Sequence, residues 1–229
     1  MLPIMSSLPT SFELFVSTVP TSILDESGKV FYSGRDAFTK PSPLYILGVN
    51  PGGDPANHLE DTVRSHTALV QKVLPSNWSA YRDESWEGAL PGTRGMAPRI
   101  LHLFKQLRLD PGSVPASNLF FVRSSREAHI QERQAELADL CWPFHQLVID
   151  QLKPRVILCL GSTAGEFVRG KVGAHRLVGT FVEQNYRRWT SSAFESPSGL
   201  RVVVAAHPSI ANWCTAATDP TRLVQNALH

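Results

Sequence analysis

The sequence predicts an α/β protein, a three-layer α/β/α sandwich around a central, mainly parallel four-stranded sheet. Three observations predict it. Unbroken apolar runs, such as Leu44-Tyr45-Ile46-Leu47 and Val156-Ile157-Leu158-Cys159-Leu160, read as strands buried on both faces. Helix-period segments lie between the runs. Polar or glycine-bearing loops follow the runs, and in a parallel sheet the loops leaving the carboxyl ends of strands meet in one crevice.

Taken in order, residues 1–40 form an N-terminal arm with a helix start at Phe12 to Ser17, ahead of a core at about 44–213. The first strand, 44–47, lies between Pro43 and Gly48. A loop-rich insertion from Asp54 to Gly95 follows, with a helix at Leu59 to Val73; a connection this long beside a motif suits a site wall. Pro98 to Leu107 places Ile100, Leu101, Phe104 and Leu107 on one helical face. Ser113 to Val122 reads as the next strand region, and Glu132 to Leu152 as a long amphipathic helix stopped by Pro154. After the strand at 156–160, Ser162 or Thr163 can cap a helix. The last strand is Val202 to Ala206.

At 229 residues one domain accounts for the chain. Neither a membrane span nor a secretory leader is predicted, and three widely spaced cysteines point to a reducing, cytoplasmic protein. They form no CxxC pair, so no metal and no cofactor is expected. A net charge of +2 neither requires nor excludes nucleic acid. Locally, Arg169, Lys171, His175, Arg176, Arg187 and Arg188 share a segment with a single acid, Glu183; this could be a phosphate-binding stripe or a solvated basic face.

Two short segments carry the chemistry. Gly48-Val49-Asn50-Pro51-Gly52-Gly53 follows the first strand, and its glycines let backbone approach a ligand. A structural turn explains the glycines but not Asn50, whose amide is both donor and acceptor. The turn fits neither GxGxxG nor the Walker pattern, and the GxxxxGK match at Gly165 to Lys171 has Val172 where a hydroxyl is required. His207-Pro208-Ser209 follows the last strand. A parallel sheet would bring Asn50 and His207 together. Histidines 58, 66, 102, 129, 145, 175 and 229 show no ligand spacing.

These segments resemble the uracil-DNA glycosylase superfamily, known for a first motif G-x-N/D/A-P and a second H-P-S. Asn118-Leu119-Phe120-Phe121-Val122-Arg123 is similar to the N-x-x-x-x-R stretch of its iron-sulfur branch, as are Cys141-Trp142-Pro143-Phe144 and Leu152 to Gly161 to two others, so the likeness spans roughly 44–213. Val122 stands where a cluster cysteine would fall. Asn50 and Asn212 are closer to the single-strand-selective members, although Ala211 replaces an expected Arg.

The resemblance implies a monofunctional DNA glycosylase of base excision repair acting on uracil or another deaminated base, a monomer whose partner is damaged DNA. Asn50 would orient the water and His207 would stabilise the leaving base anion. Asn118 would read the base edge, with Gly48, Val49, Pro51 and Trp86 forming the base pocket and Leu90 a further stacking candidate. Gly52, Gly53, Ser162, Ser209, Asn212, Arg187 and Arg188 would contact DNA. Ile210 ranks ahead of Trp213 as the side chain filling the space of the flipped base. The alternatives are a catalytically weak member that binds DNA or a nucleobase, and an unrelated α/β hydrolase of small nucleosides.

Overall fold

The computed structural model describes residues 11–126 and 130–229; His129 and the first ten residues of the arm lie outside them. The described strands are β1 (Leu44–Gly48), β2 (Ala116–Asn118), β3 (Val156–Leu160), β4 (Arg176–Val182), β5 (Thr190–Glu195) and β6 (Arg201–Ala205), and the helices are α1 (Phe12–Val16), α2 (Val63–Lys72), α3 (Ala80–Asp83), α4 (Ala97–Leu107), α5 (Gln134–Leu152), α6 (Ser162–Val172) and α7 (Thr221–Leu228).

The architecture is α/β, but the sheet is six-stranded and mixed, in the order β2-β1-β3-β6-β5-β4, which corrects the four-stranded expectation. β2, β1, β3 and β6 run parallel. The β4–β5 hairpin extends this set antiparallel through β5 on β6. Every residue of β1 and β3 is buried, as unbroken apolar runs require. The hairpin strands are partly exposed and carry no such run.

The core extends past 44–213 at both ends. Phe12, Phe15, Phe31 and Phe38 of the arm are buried and stack edge-on or tilted with one another and with Phe144 of α5. Leu223, Val224 and Ala227 of α7 close the far end. On α4 the buried positions are Ala97, Ile100, Leu103 and Phe104, so Leu103 takes the place expected for Leu101 and Leu107. α6 starts after Gly161, whose φ of +97° favours glycine; Ser162 is its first residue and neither Ser162 nor Thr163 caps it. The GxxxxGK match lies within this helix. No helix among the described residues is long and apolar enough to cross a membrane.

Candidate functional site

β1, β3 and β6 deliver three loops to one cleft of about 690 Å³, whose walls include Asn50, Gly161, Ser162, Ser124, Trp189, His207 and Ile210. Asn50 and His207 therefore meet, despite their separation in sequence. Val49, Gly52 and Ser209 line the same cleft. Its wall is hydroxyl-rich, and no carboxylate among the described residues lines it.

Each polar group is oriented by its neighbours. The Asn50 Nδ2 group donates to the carbonyls of Pro51 (2.9 Å) and Ser124 (3.3 Å), which leaves the side-chain oxygen as its acceptor. The Ser209 backbone N–H donates to His207 Nδ1 at 3.1 Å, and the Ser209 hydroxyl is 2.7 Å from the same nitrogen. Nδ1 is thus an acceptor, and the neutral imidazole carries its proton on Nε2. Gly161 lies beside this ring: a Cβ there would sit 3.6 Å from His207 Cδ2.

The second loop is clasped from two sides. Arg99 on α4 donates to the Pro208 carbonyl. Arg187, between β4 and β5, donates to the Ile210 carbonyl at 2.6 Å, pairs with the buried Glu183 at 3.2 Å and stacks on Trp189 at 4.1 Å. Arg187 is committed within the protein, whereas Arg188 is exposed. Asn212, also exposed, accepts from the Cys214 amide and supports its own turn. Ile210 is 58% exposed at the cleft rim, but Trp213 is fully buried and donates to the Ala206 carbonyl, so Trp213 is unavailable as a wedge. The basic segment does not form one stripe. β4 separates Arg176 from Arg187 and Arg188 by about 20 Å of extended chain, Arg176 pairs with Glu195, and Arg169 stacks on Phe194 at 3.3 Å.

The remaining expected base-pocket residues lie elsewhere. Asn118, Gly48 and Pro51 are buried and line neither this cleft nor the second cavity. Trp86 lines a second cavity of about 460 Å³ with Gly52, Gly53, Lys29, Tyr32, His58, Glu84 and Arg123. Gly52 lines both cavities. Leu90 is exposed and lines neither of them. Arg123 pins the shared loop, donating to the Gly52 carbonyl at 2.5 Å and to Ser27 Oγ at 3.1 Å.

Asn118 sits against the Tyr32 phenol, whose pKa is raised chiefly by burial and further by the Glu84 charge, with the Asn118 amide and Arg123 opposing. Asn118 Nδ2 is buried without a hydrogen-bond partner among the described residues. Lys29, Tyr32, Glu84 and Arg99 carry no sequence signal, because the arm and the long insertion meet the motif loop only in three dimensions. Arg123 is legible as the last residue of the Asn118 stretch.

No family model matches this chain, and no curated protein matches it.

Proposed function

We propose that the chain is a monofunctional DNA glycosylase that hydrolyses the N-glycosidic bond of uracil or another deaminated base in DNA. The observation that supports this most strongly is the shared cleft of Asn50 and His207, with the imidazole proton held on Nε2 by the Ser209 N–H. Cleavage leaves a cation-like sugar and negative charge on the departing base. A neutral imidazole N–H directed at that charge acts as one oxyanion-hole donor, worth about 3 kcal/mol. The Asn50 side-chain oxygen can hold a water by one of its hydrogens but cannot take the proton, and no carboxylate among the described residues lines the cleft. Catalysis would then rest on leaving-group stabilisation and on orienting the water, with no strong base.

The base must leave the stack to be reached. Exposed Ile210 is suited to fill the vacated space, while Ser162, Ser209 and Arg188 are suited to phosphates. Lysine does not follow His207, so an amine-nucleophile lyase step has no support at that motif.

Labelled oligonucleotides, each bearing one damaged base, test the proposal when incubated with protein and then treated with alkali. Strand scission at one or more deaminated bases is expected, and His207→Ala should slow it by at least about tenfold with little change in stability. Intact substrates throughout at stoichiometric protein would refute hydrolysis. Retained binding to uracil-containing or abasic DNA would then favour a non-cleaving member, and cleavage of free deoxyuridine without DNA binding would favour a nucleoside hydrolase.

A further inference from the structure

One peptide plane stands between Arg99 and His207. The His207 carbonyl accepts from the N–H groups of Ile210 (3.0 Å) and Ala211 (2.9 Å), so residues 207–210 form a β-turn whose central peptide joins Pro208 to Ser209. That peptide is planar and trans, so its carbonyl and its N–H point in opposite directions. The carbonyl accepts from Arg99 on α4, and the N–H donates to His207 Nδ1 at 3.1 Å. Helix formation does not call for an arginine at this point. Arg99 is the third residue of α4, where a cation opposes the helix dipole. Among the described residues its guanidinium bonds to the Pro208 carbonyl alone.

We infer that Arg99 is a positioning residue for His207: by gripping the Pro208 carbonyl it fixes the peptide plane that aims the Ser209 N–H at Nδ1, and so keeps the imidazole proton on Nε2. The Ser209 hydroxyl, 2.7 Å from Nδ1, cannot do this alone, because a hydroxyl accepts from a protonated ring nitrogen as readily as it donates to a bare one. An N–H can only donate, so it excludes a proton from Nδ1. Its direction is the vulnerable part. The central peptide of a β-turn can turn over to give type II, which would carry the Ser209 N–H away from the ring. Type II needs a positive φ at Ser209, which the residue does not have and which side chains other than glycine resist. Arg99 adds a second restraint: a charged donor holds the carbonyl toward α4 and, by polarising the peptide, strengthens its N–H. α4 is itself tied down one turn further on, where His102 Nε2 lies 2.9 Å from Asp219 Oδ2. The inference rests on the proposed hydrolysis only in giving the Nε2 proton a leaving base to meet.

Nitrogen NMR of the intact protein at about pH 8, where an imidazole of ordinary pKa is neutral, tests this without requiring catalysis. The quantity read is the scalar coupling across the hydrogen bond from the Ser209 amide nitrogen to His207 Nδ1. The wild type should show that coupling and an Nδ1 resonance typical of a bare ring nitrogen. Arg99→Met should reduce the coupling at least about threefold and move the Nδ1 resonance toward its protonated position. Arg99→Lys, whose ammonium can donate to the same carbonyl, should keep the coupling. His102→Gln loosens α4 without touching the peptide, and Ser209→Ala removes the hydroxyl but not the N–H, so both should keep it. Should Arg99→Met not fold, Arg99→Gln, polar but too short to reach the carbonyl, must lose the coupling in its place. Absence of coupling in the wild type, an unchanged coupling in Arg99→Met, or an equal loss in His102→Gln or Ser209→Ala would overturn the assignment. With an oligonucleotide bearing a deaminated base, Arg99→Met should lower kcat by at least about threefold and change KM by less than about twofold. Coupling lost in Arg99→Met while the wild type cuts no oligonucleotide would defeat hydrolysis and leave the positioning role standing. Cleavage by the wild type with the coupling unaltered in Arg99→Met would defeat the positioning role alone.

Discussion

Replacing Gly48 with alanine should damage the protein through one side chain. A Cβ at this position would lie 2.2 Å from Asn118 Oδ1, more than about 1 Å inside a normal carbon–oxygen contact, while the next neighbour, Asn118 Cγ, is 3.4 Å away. Gly48 does not have positive φ, so the backbone itself tolerates alanine. Asn118 is buried at the end of β2, registered opposite Gly48, and has little room to retreat. Overpacking of this kind typically costs about 1 to 3 kcal/mol.

Because the clash has a single source, a double-mutant cycle isolates it. Asn118→Ala alone removes a buried amide nitrogen that has no partner, so its cost should be small, within about 1 kcal/mol of neutral. Adding Gly48→Ala in that background should then cost almost nothing, giving a coupling energy of at least about 1 kcal/mol between the two positions. Urea unfolding of the four proteins at constant pH measures each term. An equal penalty for Gly48→Ala with and without Asn118, or none in either, would refute the close approach of these residues.

Three other outcomes follow from the geometry. Burial lowers the pKa of His145 from 6.5 to about 4 and that of His66 to about 3, so both are neutral in the native protein but take up a proton in the unfolded chain below about pH 6.5. Their contribution is complete above pH 6.5 and lost as pH falls toward 4, at about 1.4 kcal/mol per pH unit for each histidine; unfolding free energies from urea titrations between pH 7.5 and 4.5 should show this slope, and His145→Gln should remove about half of it. Gly165→Ala should lower the unfolding free energy by about 1 to 3 kcal/mol in spite of alanine's better helix propensity, since its Cβ would meet both γ-carbons of Val204 at 2.4 Å. Under the proposed function, Arg188→Ala should reduce the salt slope of DNA binding by about 1, whereas Arg187→Ala, which removes the tie to the Ile210 carbonyl, should chiefly lower thermal stability.

Legibility in the sequence follows burial. β1 and β3 are unbroken apolar runs because both faces of the sheet are covered there, and the parallel direction of those runs is enough to pair the loops after β1 and β6. β2 spans only three residues, too few for a pattern. β4 and β5 give no clear strand signal because they mix exposed and buried positions, carry Gly179 at an irregularity in register, and include polar Ser191 and Ser192. The aromatic cluster of the arm is hidden for a different reason: Phe12, Phe15, Phe31 and Phe38 find one another only when the arm folds back on α5. The same long-range closure brings Lys29 to Glu84.

The hairpin also separates reach from chemistry. β4 runs in the same direction as β6, so its turn emerges at the end of the sheet where His207 sits. The length of that hairpin, which contributes none of the apolar runs of the parallel strands, decides how far Trp189 overhangs the cleft. Each added pair of residues per strand would advance the rim by about 7 Å. Insertion at the turn would therefore change the size of ligand the cleft admits, leaving Asn50 and His207 in place.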